Sequence, residues 1–354
     1  MQDPGAIEGE LVDTIRKAYR QGTPLSIQGG LSKSFYGRTA QGEPLPVAGL
    51  CGITAYRPTE LVVTVRAGTS LATLEATLAA AGQMLACEPP HFAATATVGG
   101  MVAAGLAGPR RPYAGGVRDC VLGVRCVNGA GEVLRFGGEV MKNVAGFDCS
   151  RLMVGALGTL GLLLDCSLKV VPRPEYEITL HLELDTRTAL AWMNRWAGLP
   201  LPISGAAYLG NLLYVRGSGS AAALTAVREA IPAEELEDGH GFWQDLREQR
   251  LAFFLDERPL WRILLAPATP PLSLDGNWLI DWGGAQRWLK SDATAHEVRR
   301  EVDRHAGDAS LFRGGDRSGP VFTSPSPALM AVQRRLKQVF DPKGILNPGR
   351  LYPE

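Results

Sequence analysis

The spacing of apolar residues predicts the elements of the first half of the chain. Apolar positions recur every three or four residues over residues 6–21, which indicates an amphipathic helix. A β-branched run at residues 61–65 predicts a strand, and Ser70 stands where the N-cap of the following leucine-containing helix is expected. Two apolar runs, residues 121–127 and 133–136, flank an Asn-Gly-Ala-Gly segment and predict a β-hairpin.

A proline-rich segment marks the clearest boundary. The apolar strand predicted over residues 160–171 is stopped by Pro172 and Pro174, and glycine becomes rarer beyond this point. The second half reads as alternating strands and helices. The strands are predicted near residues 177–184, 211–216, 260–266 and 278–282, and the helices near residues 187–197, 219–231, 293–306 and 326–340. We therefore expect an α+β protein with a ligand-binding domain over residues 1–173 and an α/β cap domain over residues 174–354.

Composition excludes several classes of partner. Lys plus Arg and Asp plus Glu number 36 each, so no general charge would attract nucleic acid or an anionic membrane. The six cysteines and five histidines lack the close spacings of metal sites, so no metal is expected. The acidic first ten residues do not resemble a secretory signal, and the uncharged stretch 89–109 is too rich in glycine and proline for a transmembrane segment. A cytoplasmic location follows as the expectation.

Three glycine-rich segments are the candidates for ligand binding. Residues 28–33 (Gln-Gly-Gly-Leu-Ser-Lys) follow a short predicted strand, and consecutive glycines there could expose backbone N–H groups to phosphate oxygens. Residues 97–108 read as the small-residue start of a helix, whose N-terminus favours anions. Residues 155–161 would let the backbone approach a flat ring. Each segment alone could be only a turn or a packing device, and none fits the Rossmann or P-loop pattern.

The order of the motifs is more specific than any one of them. Residues 28–30, 96–100, 115–123 and 158–161 follow one another, and residues 340–350 read Phe-Asp-Pro-Lys-Gly-Ile-Leu-Asn-Pro-Gly-Arg. This order resembles the vanillyl-alcohol oxidase and p-cresol methylhydroxylase (PCMH) flavoprotein family, and the C-terminal segment is similar to that of its 2-hydroxy-acid dehydrogenase branch. Further stretches extend the resemblance over essentially the whole chain, to the smaller flavin subunits of glycolate oxidases: residues 82–91, 105–112, 136–146 and 279–290.

The resemblance implies a PCMH-type FAD-binding domain and a cap domain whose C-terminal segment returns to the flavin. In this family the first two loops hold the FAD pyrophosphate and the third lies near the isoalloxazine. Carried over residue by residue, it implies FAD contacts at Gln28, Gly29, Gly30, Leu31, Ser32, Pro90, Thr97, Gly99, Gly100, Ala103, Gly108, Gly115, Asp119, Gly158, Gly161, Leu162 and Asn347. Covalent attachment would need a suitably placed His or Cys, and Leu31 follows the first Gly-Gly, so non-covalent FAD is expected.

The chemistry of 2-hydroxy-acid oxidation also needs a proton acceptor and a cation beside the flavin. The family's self-sufficient members carry clustered histidines in the cap, whereas the cap histidines here stand apart in the sequence: His181, His240, His296 and His305. No catalytic residue is therefore assigned. His91 could approach the flavin or be structural. Arg110 and Arg111 could face a substrate carboxylate or pair with acids of the cap or a partner.

The function that the resemblance implies is that of an FAD-binding subunit in a complex oxidising glycolate to glyoxylate. Its partners would be a larger FAD-containing catalytic subunit and an iron–sulfur subunit, with any association with the inner face of the membrane made through them. This subunit would either carry electrons or complete the assembly. Two alternatives stay open: a self-contained dehydrogenase of another 2-hydroxy acid or alcohol, and a structural subunit with a vestigial flavin fold.

Overall fold

A computed structural model of the chain describes residues 3–138 and 148–352. Residues 139–147, which belong to the stretch 136–146 of the resemblance, lie outside the described residues.

Ten α-helices are assigned in the described residues. They are α1 (Pro4–Gln21), α2 (Leu71–Ala80), α3 (Val98–Ala104), α4 (Arg111–Ala114), α5 (Val117–Cys120), α6 (Thr186–Ala197), α7 (Ala221–Ala230), α8 (Gly239–Glu248), α9 (Ala295–Asp303) and α10 (Pro327–Phe340). Side chains cap several of them, as Ser70 does for α2 and Thr97 for α3.

Seventeen β-strands accompany the helices in the same residues. They are β1 (Leu25–Gln28), β2 (Glu43–Pro46), β3 (Ile53–Arg57), β4 (Val62–Arg66), β5 (Gln83–Met84), β6 (Val121–Val127), β7 (Val133–Gly137), β8 (Leu162–Lys169), β9 (Val171–Pro172), β10 (Tyr176–Glu183), β11 (Ile203–Leu209), β12 (Leu212–Gly219), β13 (Glu234–Glu235), β14 (Leu260–Leu264), β15 (Asn277–Asp281), β16 (Gln286–Lys290) and β17 (Asp308–Arg313).

The chain divides into two compact units. The first comprises Met1–Leu106, Gly116–Pro172 and Ser324–Glu354, and the second comprises Ala107–Gly115 and Arg173–Thr323. Residues 107–115, which the sequence predicts to lie in the first domain, group with the second unit by their contacts, and the domain bounds stay a prediction. The physical reason is a pair of contacts within that unit: the indole Nε1 of Trp282 donates to the Gly108 carbonyl at 2.9 Å, and Arg110 pairs with Glu177 at 2.7 Å.

The first unit is built on a five-stranded antiparallel sheet in the order β3-β4-β8-β6-β7. Strands β1 and β2 form a separate parallel pair, and α1 packs its buried face, including Ile15, into a core shared with Leu25 and Leu346. This packing fixes β1, which ends directly at the Gly29-Gly30 turn.

The second unit contains an eight-stranded sheet in the order β13-β10-β12-β11-β15-β16-β14-β17, and every neighbouring pair is antiparallel. Helices α6 and α7 bury Trp196 and Val227 in one core of this unit. Helix α9 buries Val298 and Val302 in another. The second unit thus has its own cores.

The part of the chain that the structure describes contains no helix long and apolar enough to cross a membrane.

The six cysteines provide a test of this packing. Cys51 is exposed and Cys149 is half-buried, whereas Cys87, Cys120, Cys126 and Cys166 are buried. Burial raises the pKa of Cys126 to about 12 and also raises that of Cys166. Because the thiolate is the reactive form, we expect a disulfide reagent such as DTNB at pH 8 to modify Cys51 fast, Cys149 more slowly and the others only after unfolding. The variant Cys51→Ser should lose the fast phase. A fast phase that survives this substitution would contradict the burial described.

Candidate functional site

A cavity in the first unit opens where β1 ends. The segment after β1, helix α3, the segment 153–163 and the C-terminal residues Asn347 and Arg350 line it. Nearly half of the lining residues are glycine or alanine, so the walls are largely backbone and methyl groups. A wall of this kind allows a flat or phosphorylated ligand to approach the main chain closely.

The loop that follows β1 supplies hydrogen-bond donors. No described residue accepts a hydrogen bond from the backbone N–H groups of Gly29, Gly30, Leu31 or Ser32. Leu31 has a positive φ of 56° and is 57% exposed, so the chain turns here without burying a side chain. Consecutive free N–H groups on a cavity wall form a site for the oxygens of a phosphate.

The N-terminus of helix α3 was expected to offer free N–H groups to an anion, but its first N–H groups are already hydrogen-bonded within the protein. The N–H groups of Val98 and Gly99 donate to the carbonyls of Thr69 and Ala67 at 2.9 and 2.7 Å, and that of Gly100 donates to Thr97 Oγ1 at 3.2 Å. These bonds satisfy the amides that a helix leaves free at its start. Gly99 also allows close packing, since a Cβ there would lie 2.8 Å from that of Ala67.

Two glycines of the cavity wall tolerate no side chain. A Cβ on Gly30 would stand 1.4 Å from the carbonyl oxygen of Thr95. Gly158 has a φ of +75°, and a Cβ there would lie 2.6 Å from Nδ2 of Asn347. The first loop and the segment 153–163 are thus held against neighbouring backbone and side-chain atoms at contact distance.

Asn347 joins three segments at the floor of the cavity. Its Oδ1 accepts from the N–H of Ile27 at 2.7 Å, and its Nδ2 donates to the carbonyl of Leu157 at 2.7 Å. Its own N–H donates to the carbonyl of Leu25 at 2.9 Å. The resemblance implied an FAD contact for this residue, and the structure shows that its side-chain amide also positions β1 and the segment 153–163.

The charge of the cavity favours an anion. The described lining residues include Lys33 and Arg350 and no carboxylate. Lys33 Nζ donates to the carbonyl of His91 at 3.2 Å, and Arg350 donates to the carbonyls of Ser34 and Tyr36 at 3.1 and 2.9 Å. The cavity wall therefore carries two cationic side chains. Sequence reasoning did not assign Arg350 to the site, although it follows the Asn-Pro-Gly motif.

Most of the residues predicted to contact FAD line this one cavity. They are Gln28, Gly29, Gly30, Leu31, Ser32, Gly99, Gly100, Ala103, Gly158, Gly161 and Asn347. Their role toward the cofactor stays a prediction, while their convergence is a feature of the structure.

Six predicted residues do not line the cavity. Pro90 is buried elsewhere in the first unit, and Leu162 packs in its core. Thr97 caps α3, and the Asp119 carboxylate accepts from the N–H of Gly116 at 2.8 Å. Gly108 and Gly115 belong to the second unit. These positions shape the fold in the structure.

His91, Arg110 and Arg111, whose roles the sequence left open, each contact another residue of this chain. His91 Nε2 lies 3.1 Å from a carboxylate oxygen of Glu75, which favours the structural role. Arg110 is buried and donates to Glu177 and Ser218, so it pairs with an acid of its own unit. The guanidinium of Arg111 lies 4.4 Å from the ring centroid of Trp282. Among the described residues, no group of three or more His, Cys, Asp or Glu could hold a metal ion.

Comparison with known proteins agrees with this geometry. Residues 6–137 match the FAD binding domain family, and residues 316–351 match the C-terminal domain family of FAD linked oxidases. The chain is 50% identical to the glycolate oxidase subunit GlcE of Escherichia coli K12 over 344 residues, which cover 97% of each chain. It is 40% identical to the glycolate oxidase subunit GlcD of Bacillus subtilis 168 over 91 residues, 26% of this chain and 19% of that protein.

A solved structure shows the same fold at much lower identity. Alkyldihydroxyacetonephosphate synthase superposes with a TM-score of 0.68 at 14% identity, covering 96% of this chain and 75% of that chain. The family matches and the identity to GlcE show the class, a flavoprotein with a PCMH-type FAD-binding domain. The chain belongs to the FAD-linked oxidase family, in the group of the glycolate oxidase subunits GlcE. FAD is its cofactor.

Gly30→Ala should weaken FAD binding because the added methyl would displace the loop from Thr95 and with it the free N–H groups. Losing one hydrogen bond to a charged group costs about 1.5–3 kcal/mol, which corresponds to a roughly 10- to 100-fold higher Kd for FAD. Fluorescence titration of the FAD-free protein measures this Kd. The matched control is Gly9→Ala on α1, where a Cβ meets no atom within 4 Å. A Gly30→Ala protein with the Kd of the control would show that the loop does not hold the cofactor.

Asn347→Ala should destabilise the first unit as well as reduce FAD content. The substitution leaves the N–H of Ile27 and the carbonyl of Leu157 without their partner, at about 1–3 kcal/mol for each buried group. Urea unfolding of the FAD-free protein isolates this effect from cofactor binding. An unfolding free energy equal to that of the wild-type chain would refute the structural role of Asn347.

Proposed function

We propose that this chain is the FAD-binding subunit of a complex that oxidises glycolate to glyoxylate, and that it depends on partner subunits for turnover. The observation on which this proposal rests is a cavity lined by free backbone amides and small residues. The chain that contains it is 50% identical to a GlcE subunit. When bound, FAD supplies the hydride-accepting ring. The chain's residues hold the cofactor: the first loop receives the pyrophosphate, and Asn347 positions that loop against the segment 153–163.

The pairing of the charged residues supports a subunit without its own proton-transfer group. A catalytic base must reach the substrate proton within hydrogen-bond distance. The histidine closest in sequence to the glycine-rich segment of α3, His91, does not line the FAD cavity, and its Nε2 lies 3.1 Å from Glu75. In the second unit Glu177 contacts Arg110 and lies 3.6 Å from Arg216. A substrate carboxylate would have to compete with Glu177 for these two arginines.

The same proposal includes the partner subunits, the location of the complex and the role of this chain's FAD in electron transfer. The partners are a larger FAD-containing subunit that carries out glycolate oxidation and an iron–sulfur subunit that relays electrons. The complex is cytoplasmic and meets the inner face of the membrane only through those partners. The FAD of this chain lies on the electron path between them.

FAD should be released on denaturation, because Leu31 occupies the turn where a covalent link would need a His or Cys. Precipitation with trichloroacetic acid should leave the flavin absorbance in the supernatant. A yellow pellet after washing would contradict non-covalent binding. A purified chain that takes up no flavin at all would favour the vestigial fold.

The isolated FAD-loaded chain should not be reduced by glycolate at a useful rate. General base catalysis typically contributes 10²- to 10⁴-fold, so flavin without a base should react that much more slowly than the complex. The measurement is anaerobic mixing with millimolar glycolate, followed at the flavin absorbance maximum. Adding the two partner subunits should restore reduction.

Rapid bleaching of the chain alone would support the second candidate, a self-contained dehydrogenase. Arg111 is the residue that supports this second candidate. Its side chain is exposed, and the one interaction described for its guanidinium is with the ring face of Trp282. An Arg111→Lys variant that raised the KM for glycolate in the isolated chain would confirm that candidate.

A further inference from the structure

The C-terminal helix α10 carries an apolar stripe that the first unit does not cover. Leu329, Val332, Leu336 and Val339 are spaced by three, four and three residues, and such residues share one helix face. Leu329, Val332 and Val339 are 51%, 50% and 73% exposed. Five other large hydrophobic residues are exposed in the part of the chain that is described, and none of them lies on this helix. The exposed apolar surface is therefore concentrated on α10.

The helix is attached through one buried aromatic residue and a set of polar contacts. Phe340 is its only fully buried residue. Lys337 Nζ donates to the carbonyls of Thr159 and Leu346 at 2.9 and 2.8 Å and to Asp341 at 2.7 Å. These bonds do not involve the three exposed residues of the stripe, Leu329, Val332 and Val339.

A groove beside α10 continues this surface. Leu152, Val154 and Leu160 from the segment before β8 face Met330 and Leu336 of the helix, and Arg118, Arg151 and Arg334 lie at the groove as well. Ala156 and Arg350 line both this groove and the FAD cavity. We call the apolar stripe and this groove together the α10 surface.

The charge of the α10 surface is positive. Arg118 and Arg334 of the groove, and Arg335 next to Arg334 on the same helix, form no ion pair with any described residue. The one acid lining the groove, Asp341, is buried and accepts from Lys337 and from the N–H groups of Ile345 and Leu346. In a chain whose formal net charge is zero, this is a local excess of cations.

We propose that the α10 surface is the docking site of the larger flavin subunit, which would present an apolar ridge flanked by carboxylates. This inference rests on the proposed function. Charge complementarity favours such a partner over a second copy of this chain, because a two-fold contact would bring the same arginines together. The concave groove favours a protein over a flat lipid surface. Docking here would place the partner beside the segment 153–163 and so next to the FAD cavity.

The test is titration of the FAD-loaded chain with the purified larger flavin subunit, followed by calorimetry. Val332→Glu/Val339→Glu should raise the Kd at least roughly tenfold, as expected when central apolar contacts are replaced by charges. Arg334→Glu/Arg335→Glu should weaken binding and flatten its dependence on salt. The matched control is Leu255→Glu in the second unit, a position 72% exposed and outside the α10 surface, which should bind like the wild type. FAD content and thermal midpoint should stay unchanged in all variants.

The outcomes separate this inference from the proposed function. If the wild-type chain does not bind the larger flavin subunit, both fail. If it binds and the double glutamate variant binds equally well, only the docking site is wrong. Self-association of the wild-type chain that the Val332→Glu/Val339→Glu variant abolishes would overturn the proposal in favour of a second copy. Binding to phosphatidylglycerol vesicles that the same variant abolishes would overturn it in favour of a lipid surface.

Discussion

The side-chain amide of Asn347 is the contact on which the candidate site depends. Its two ends bond to the backbone of Ile27 and Leu157, which belong to segments about 320 and 190 residues away in sequence. This bridge ties β1 and the segment 153–163 to the same side chain at the floor of the cavity. The bridge is itself held by the bond from Leu25 N–H to the carbonyl of Ile345 at 2.7 Å and by the contacts of Lys337.

This arrangement explains how a chain without net charge can hold a doubly charged pyrophosphate. The first loop offers uncommitted N–H groups, and the cations Lys33 and Arg350 line the same cavity. In the proposed binding mode, recognition of the pyrophosphate rests on backbone geometry supported by two local charges. Helix α3 contributes small residues and close packing, while its first amides are already used within the protein.

The sequence predicted local features well and long-range ones poorly. Helices with regular apolar spacing, such as α1 and α10, and the β6–β7 hairpin are recognisable because each depends on residues close in the chain. Strands β11, β16 and β17 were missed, since their burial depends on partners elsewhere in the sheet. The contact of Trp282 with Gly108, which groups residues 107–115 with the second unit, also cannot be read from local sequence. In the site, glycine spacing located the loops, but it could not distinguish free amides in the first loop from bonded amides in α3.

That distinction is also the most direct test of how the cofactor is held. Hydrogen–deuterium exchange of the FAD-free and FAD-loaded chain measures it in two peptides, one spanning residues 28–34 and one spanning residues 97–104. Binding through the first loop predicts fast exchange at residues 29–32 that FAD slows strongly, and slow exchange at residues 98–100 that changes little. Protection by FAD confined to residues 98–100, with residues 29–32 unchanged, would contradict the account.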